Sequence, residues 1–147
     1  MRRFPESEDL YTVGTDVFGR DVSLSRRTAE AWRTMRFAAE SDGARLLLLS
    51  GFRSITRQTE IVRRKIEAGR SLEQVLQTSA YPGFSEHHTG RAIDLGSPGC
   101  EHLSEAFETT REFHWLSRHA SRFGFFLSYP RHNPAGIAYE PWHWCHQ

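Results

Sequence analysis

Cysteine is scarce: Cys100 and Cys145 are the only two in 147 residues. That is too few for a disulfide framework, and they lack the C-x-x-C spacing of a thiolate zinc site or redox pair. Both are expected to be free or buried thiols. Long apolar runs are also missing. The longest aliphatic stretch, Leu46 to Leu49, falls far short of the ~20 residues that cross a bilayer, so no membrane span is expected. Neither charge is in excess, since 19 Lys and Arg stand against 18 Asp and Glu for a formal charge of +1. A nucleic-acid partner therefore has no electrostatic basis. Met1, Arg2 and Arg3 make a basic start, but Pro5, Glu6, Glu8 and Asp9 follow where an apolar segment would be needed, so no signal peptide is legible. Two catalytic signatures are absent as well. There is no Gly-x-Ser-x-Gly elbow of a serine hydrolase, and no H-E-x-x-H zinc helix.

What remains is an ordinary globular composition, 38% hydrophobic and 25% charged, at a length that suits one domain. Residues 1–22 read as an irregular N-terminal segment and 23–147 as the domain proper. Ser23 or Ser25 can cap a helix with Leu24, Thr28, Ala31, Trp32, Met35 and Ala39 at 3.6-residue spacing, ending near Asp42-Gly43. Arg45 to Ser50 reads as a short buried strand. Ser54 caps a second helix with Ile55, Thr59, Val62 and Ile66 on its apolar stripe, a basic solvated opposite face and Gly69 as its stop. Ser71 and Gln74 form a capping box for a short third helix. Thr89 to Leu95 suits a strand, and Ser104 opens a long helix ending at Gly124. Phe125 to Tyr129 and Ile137 to Trp144 read as a terminal hairpin. Strands clustered at the end favour an α+β fold, a small antiparallel sheet flanked by helices, over an alternating parallel one.

The densest polar cluster runs from Ser85 to Asp94. Along a strand, the period of two puts Gly90, Ala92 and Asp94 on one face. The two small residues leave room above the sheet, and His87 can fold over that space. The second cluster is Glu140-Pro141-Trp142-His143. In an ideal strand Glu140 and His143 point to opposite faces, so a shared site requires a distortion at Pro141. Two imidazoles and a carboxylate form a three-ligand zinc set that leaves a position for water. The metal lowers the water pKa toward ~7, and Glu140 is placed to take its proton. Arg53, on the turn after a buried strand, has the fork that recognises a carboxylate or steadies an oxyanion, and Gln58 lies about one helical turn further on. A histidine taken singly is more often packed or at the surface; here the combination carries the reading.

Ser85-x-His87-x-x-Gly90-x-Ala92-x-Asp94, preceded by Ser50-Gly51-Phe52-Arg53-Ser54 and followed by Glu140-Pro141-Trp142-His143, resembles the VanY-type D-alanyl-D-alanine carboxypeptidases of the LAS group of zinc metallopeptidases. The resemblance spans roughly residues 46 to 146. It implies Zn2+ on His87, Asp94 and His143, with His87 rather than His88 as the first ligand. It also implies Glu140 as catalytic base and Arg53 on the scissile carbonyl or terminal carboxylate. Gln58 and Ser85 match positions that touch a terminal D-alanine. Phe52 stands where the family usually has Tyr. The implied substrates are peptidoglycan stem peptides, with a D,D- or L,D-preference left open, in the cell envelope. An endopeptidase of the same chemistry, such as a phage-type lysin, and a non-catalytic wall-peptide or metal-binding module are the competing functions.

Overall fold

Helix α1 (Arg26–Ser41) exists because its apolar residues recur at helical spacing: Ala29, Trp32, Met35 and Ala39 are all buried. Ser25 is its N-cap residue, but its hydroxyl donates to Thr28 Oγ1 instead of accepting a cap hydrogen bond. In the computed structural model, which describes residues 2–147, the segment before α1 is not irregular. Strands β1 (Leu10–Thr15) and β2 (Asp21–Ser25) form an antiparallel ribbon. Val22 and Leu24 turn into the core from β2, while β1 is nearly all exposed. Alternation in so short a stretch was too weak a signal against the turn at Asp16 to Arg20, which Asp16 closes by accepting from the N–H groups of Phe18 and Arg20.

The main sheet comprises β3 (Leu47–Ser50), β4 (Ala92–Gly96), β5 (Phe125–Leu127) and β6 (His143–His146), in the order β3-β4-β6-β5. Every pairing is antiparallel, as the sequence predicts. Strand β4 lies between β3 and β6, and all five of its residues are buried. The core gathers Trp32 and Met35 of α1, Leu46, Ile93, Leu95, Phe107, Leu116 and Phe125. Each such side chain contributes about 1.5–3 kcal/mol by leaving water. Inside this core Glu112 is 6% exposed and accepts from the Arg45 N–H at 2.8 Å and the Ser97 hydroxyl.

Helix α2 (Ile55–Glu67) starts where Ser54 accepts from the Arg57 N–H, and the capping box of Ser71 and Gln74 opens α3 (Leu72–Thr78). The stripe expected on α2 is buried only at Val62, and the buried face is rotated toward Gln58. Ile55 and Ile66 are exposed, whereas Gln58 and Val62 are buried. The long helix expected from Ser104 is divided into a 3-10 turn (Glu105–Thr109), α4 (Arg111–His119) and a second 3-10 turn (Ala120–Phe123). Thr110 divides it by adopting extended backbone and capping Phe113 with its hydroxyl. The terminal hairpin pairs as expected, but its second strand begins only at His143. Pro130, Pro134 and Pro141 withhold N–H donors from the preceding stretch. Asn133 instead ties that stretch into a turn, donating to the carbonyls of Pro130 and Ile137. Both cysteines are free, and among the described residues no helix is long and apolar enough to cross a membrane.

Candidate metal centre

One row across three strands builds the site. Ser50 of β3 pairs with Asp94 of β4, and Asp94 pairs with His143 of β6. A register shift in β3 between Leu48 and Ser50 brings Ser50 into that row, the kind of bulge that re-aims side chains beside a site. Asp94 is the one charged residue of a fully buried strand. It survives there because Asp94 Oδ2 lies 3.3 Å from His87 Nε2 and Asp94 Oδ1 lies 3.1 Å from His143 Nδ1. Burial opposes its ionisation, but the two histidines prevail and hold its carboxyl well below the usual carboxylate range.

His87 reaches this point from a 3-10 turn (Glu86–Thr89) rather than from the strand itself. Ser85 caps the turn, accepting from the His87 N–H, and Gly90 ends it with φ 70. A Cβ at Gly90 would lie 2.8 Å from the Ser25 backbone nitrogen, which donates to the Gly90 carbonyl. The glycine is thus required by close approach of the β2 end, and it does not make space for a ligand above the sheet. His87 Nδ1 lies 2.7 Å from the Gly51 carbonyl. A carbonyl only accepts, so Nδ1 carries the proton shared with Gly51, and Nε2 is the nitrogen that faces Asp94.

The second motif folds as the distortion at Pro141 requires. The His143 N–H donates to the Glu140 carbonyl, closing a turn that swings Glu140 Oε2 to 3.9 Å from His143 Nδ1. The other imidazole nitrogen, Nε2, is held by Glu86 Oε1 at 2.8 Å. Carboxylates face both ring nitrogens of His143 and favour its charged form. Burial works to lower its pKa, yet the hydrogen bonds to Asp94 and Glu86 and the charges of Asp94 and Glu140 raise it to about 10. Glu140 is itself pushed up to about 7, chiefly by burial, against the opposing pull of His143.

His87, Asp94 and His143 each offer a ligand atom, and these atoms lie within 4.8 Å of one another. Their chemistry fits zinc. Nε2 of His87 and Nδ1 of His143 point inward, while the outward nitrogens are fixed by Gly51 and Glu86, the partners that orient metal-bound imidazoles. His88 does not compete. Its Nε2 accepts from the Gly83 N–H and its Nδ1 donates to the Arg53 carbonyl, so both nitrogens are spent on holding the Arg53 turn.

The ligand set lies in a cavity of about 450 Å³ that Arg53, Ser85, Glu140 and Trp142 also line. Arg53 donates to Gln58 Oε1 at 3.0 Å and to Ser50 Oγ at 3.3 Å. Gln58 sits beneath it, not in the cavity. It is 1% exposed, and its amide nitrogen is committed to the Ala80 carbonyl. Gln58 therefore props Arg53, and the expectation that it touches a ligand is corrected by its burial. Trp144, by contrast with Trp142, is core, its indole N–H donating to the Pro141 carbonyl. Glu86 was not singled out from sequence. Its position next to His87 was visible, but its bond to His143 joins residues that only the β4–β6 pairing brings together.

The VanY family, described as D-alanyl-D-alanine carboxypeptidase, matches residues 21–147. YodJ of Bacillus subtilis (strain 168) is 36% identical over 124 residues, 82% of this chain and 45% of that protein. A D-alanyl-D-alanine carboxypeptidase of Enterococcus faecalis is 29% identical over 117 residues, covering 73% of this chain and 42% of that protein. The chain thus spans less than half the length of these relatives. Among solved structures, the LdcB LD-carboxypeptidase superposes with a TM-score of 0.85 at 33% identity, over 96% of this chain and 69% of that one. The VanY D,D-pentapeptidase of the VanB-type resistance cassette, solved in complex with Zn(II), gives a TM-score of 0.73 at 26% identity, over 99% and 83%. The sheet row of Ser50, Asp94 and His143 and the turn that carries His87 lie inside this matched region, and the chain belongs to the VanY family of D-alanyl-D-alanine carboxypeptidases.

Proposed function

We propose that this chain is a zinc-dependent carboxypeptidase that removes a C-terminal D-alanine from peptidoglycan stem peptides in the cell envelope, with residues 23–147 as its catalytic domain. The observation that carries this reading is the convergence of His87, Asp94 and His143 with Glu140 beside them in one cavity. His87 Nε2, Asp94 and His143 Nδ1 would hold the ion. Zinc there supplies Lewis acidity and makes water a usable nucleophile near neutral pH.

The protein's own groups do the rest. Glu140, buried beside His143 Nδ1, is placed to take a proton from the attacking water and return it to the leaving amine. Arg53 is held by Gln58 and Ser50 with no carboxylate partner in contact among the described residues. It offers its remaining N–H groups to the scissile carbonyl oxygen or the terminal carboxylate, where negative charge must be met. The Ser85 hydroxyl lines the same cavity and accepts from the His87 N–H, so its proton is free for the substrate's end.

The test is a panel of stem peptides of three, four and five residues given to zinc-loaded protein, with products identified by mass. Release of single D-alanine residues is expected, falling about 10²–10⁴-fold in Glu140→Ala. Internal cuts would replace this reading with the endopeptidase. Absence of any product would end it.

A further inference from the structure

Lys65 belongs to the face of α2 that the basic-surface expectation assigned to solvent. The structure turns it inward. Ile61 and Lys65, at i and i+4, both line the cavity that holds Arg53 and the ligand set, and Gln58 lies on the same face at i−3 from Ile61. The Lys65 ammonium donates to Ser79 Oγ at 2.5 Å. Among the described residues it forms no ion pair, whereas Arg57 on the same helix pairs with Glu60. Burial, with the charges of Arg70 and Arg53, draws its pKa below the ordinary lysine value, and Glu140 acts the other way. The protein thus keeps a half-buried cation in its cleft whose one hydrogen-bond partner is neutral.

Ser79 completes the arrangement. Its oxygen accepts from Lys65, and its own proton has no acceptor among the described residues. An ammonium and a hydroxyl side by side present donors to both oxygens of one carboxylate. We propose that Lys65 and Ser79 form a carboxylate-binding subsite of the cleft, separate from the position of the scissile carbonyl. This rests on the peptidase reading of the cavity. The carboxylate has two sources in such a peptide: the chain terminus, or an acidic side chain on the acyl side of the bond that is cut.

The experiment separates them by calorimetric binding to zinc-loaded protein in a Glu140→Ala background, where turnover is suspended. Three ligands are compared: a stem peptide bearing both carboxylates, its C-terminal amide, and its side-chain amide. Lys65→Met is expected to weaken the parent peptide roughly tenfold or more, the usual size of a hydrogen bond to a charged group. Lys65→Arg should retain most of the affinity, and Ser79→Ala should lose a smaller factor. The amide analogue that no longer responds to Lys65→Met identifies the carboxylate that is read. If Lys65→Met, melting like its parent, binds all three as tightly as the parent does, or weakens all three equally, the subsite is overturned. Failure of the unsubstituted protein to bind any of them overturns it too. Binding that depends on Lys65 while the Glu140-containing enzyme cuts nothing sustains the subsite and ends the carboxypeptidase reading instead.

Discussion

Metal binding at this site should release at least one proton per ion, and the first should come from His143. Its Nδ1 faces Asp94 Oδ1 at 3.1 Å and its Nε2 faces Glu86 Oε1 at 2.8 Å. Both partners are carboxylates that only accept, so without metal both ring nitrogens carry protons and the ring is an imidazolium, with a pKa raised to about 10. His87 has the opposite tendency, its pKa lowered mainly by burial, and Asp94 is already ionised. A cation approaching Nδ1 must therefore displace one proton. At pH 7, roughly three pH units below the His143 value, that displacement costs about 4 kcal/mol, or a factor of about a thousand in affinity. The sign follows from which form binds. Since only the neutral ring can ligate, apparent affinity rises at least about tenfold for each pH unit between 6 and 8. Zinc titrated calorimetrically in buffers of differing ionisation heat counts the protons directly, and chelator competition at three pH values gives the slope. A count near zero with a flat affinity would refute the charge state assigned to His143.

Other outcomes follow from individual contacts. Gly90→Ala forces a side chain onto a residue at φ 70, with its Cβ 2.8 Å from the Ser25 nitrogen; αL strain plus overpacking should cost roughly 2–5 kcal/mol in urea unfolding. Glu112→Ala strands the Arg45 N–H and the buried Ser97 hydroxyl and should cost about 1–3 kcal/mol by the same measurement, without changing zinc affinity. Arg53→Ala should lower kcat/KM about 10²–10³-fold in the peptide assay while zinc binding stays within a fewfold, because Arg53 touches Gln58 and Ser50 but no ligand atom. Unfolding of the metal-free protein should show a loss of stability as pH rises from 6.5 through about 10, since the proton that His143 holds more tightly when folded is given up over that range.

Local chemistry was legible where a residue answers to its neighbours in the chain. Ser54, the Ser71–Gln74 capping box and the stop at Gly69 acted as written, and α1 followed its 3.6-residue pattern. The motif residues that meet at the metal centre could be named because their spacing is distinctive. So could the need for a distortion at Pro141, because a strand's period of two forbids Glu140 and His143 from sharing a side. Chain-local reasoning failed where two patterns competed. Thr110 outweighed a continuous helical stripe by capping a new helix, and Ile55 and Ile66 were left exposed because the cleft took the neighbouring face of α2, that of Gln58, Ile61 and Lys65.

By itself the sequence determined the type of fold and the positions of most helix starts, which depend on short-range geometry and side-chain type, and its resemblance to the VanY-type carboxypeptidases named the would-be ligands and base. The tertiary structure alone decided the rest. It set Glu86 against His143, Gln58 beneath Arg53 instead of in the cavity, and Lys65 with Ser79 at the cleft wall. Each of these contacts joins residues whose separation is fixed by strand pairing or helix packing, and a hydrogen bond or pKa shift requires that distance, which residue type and spacing do not contain.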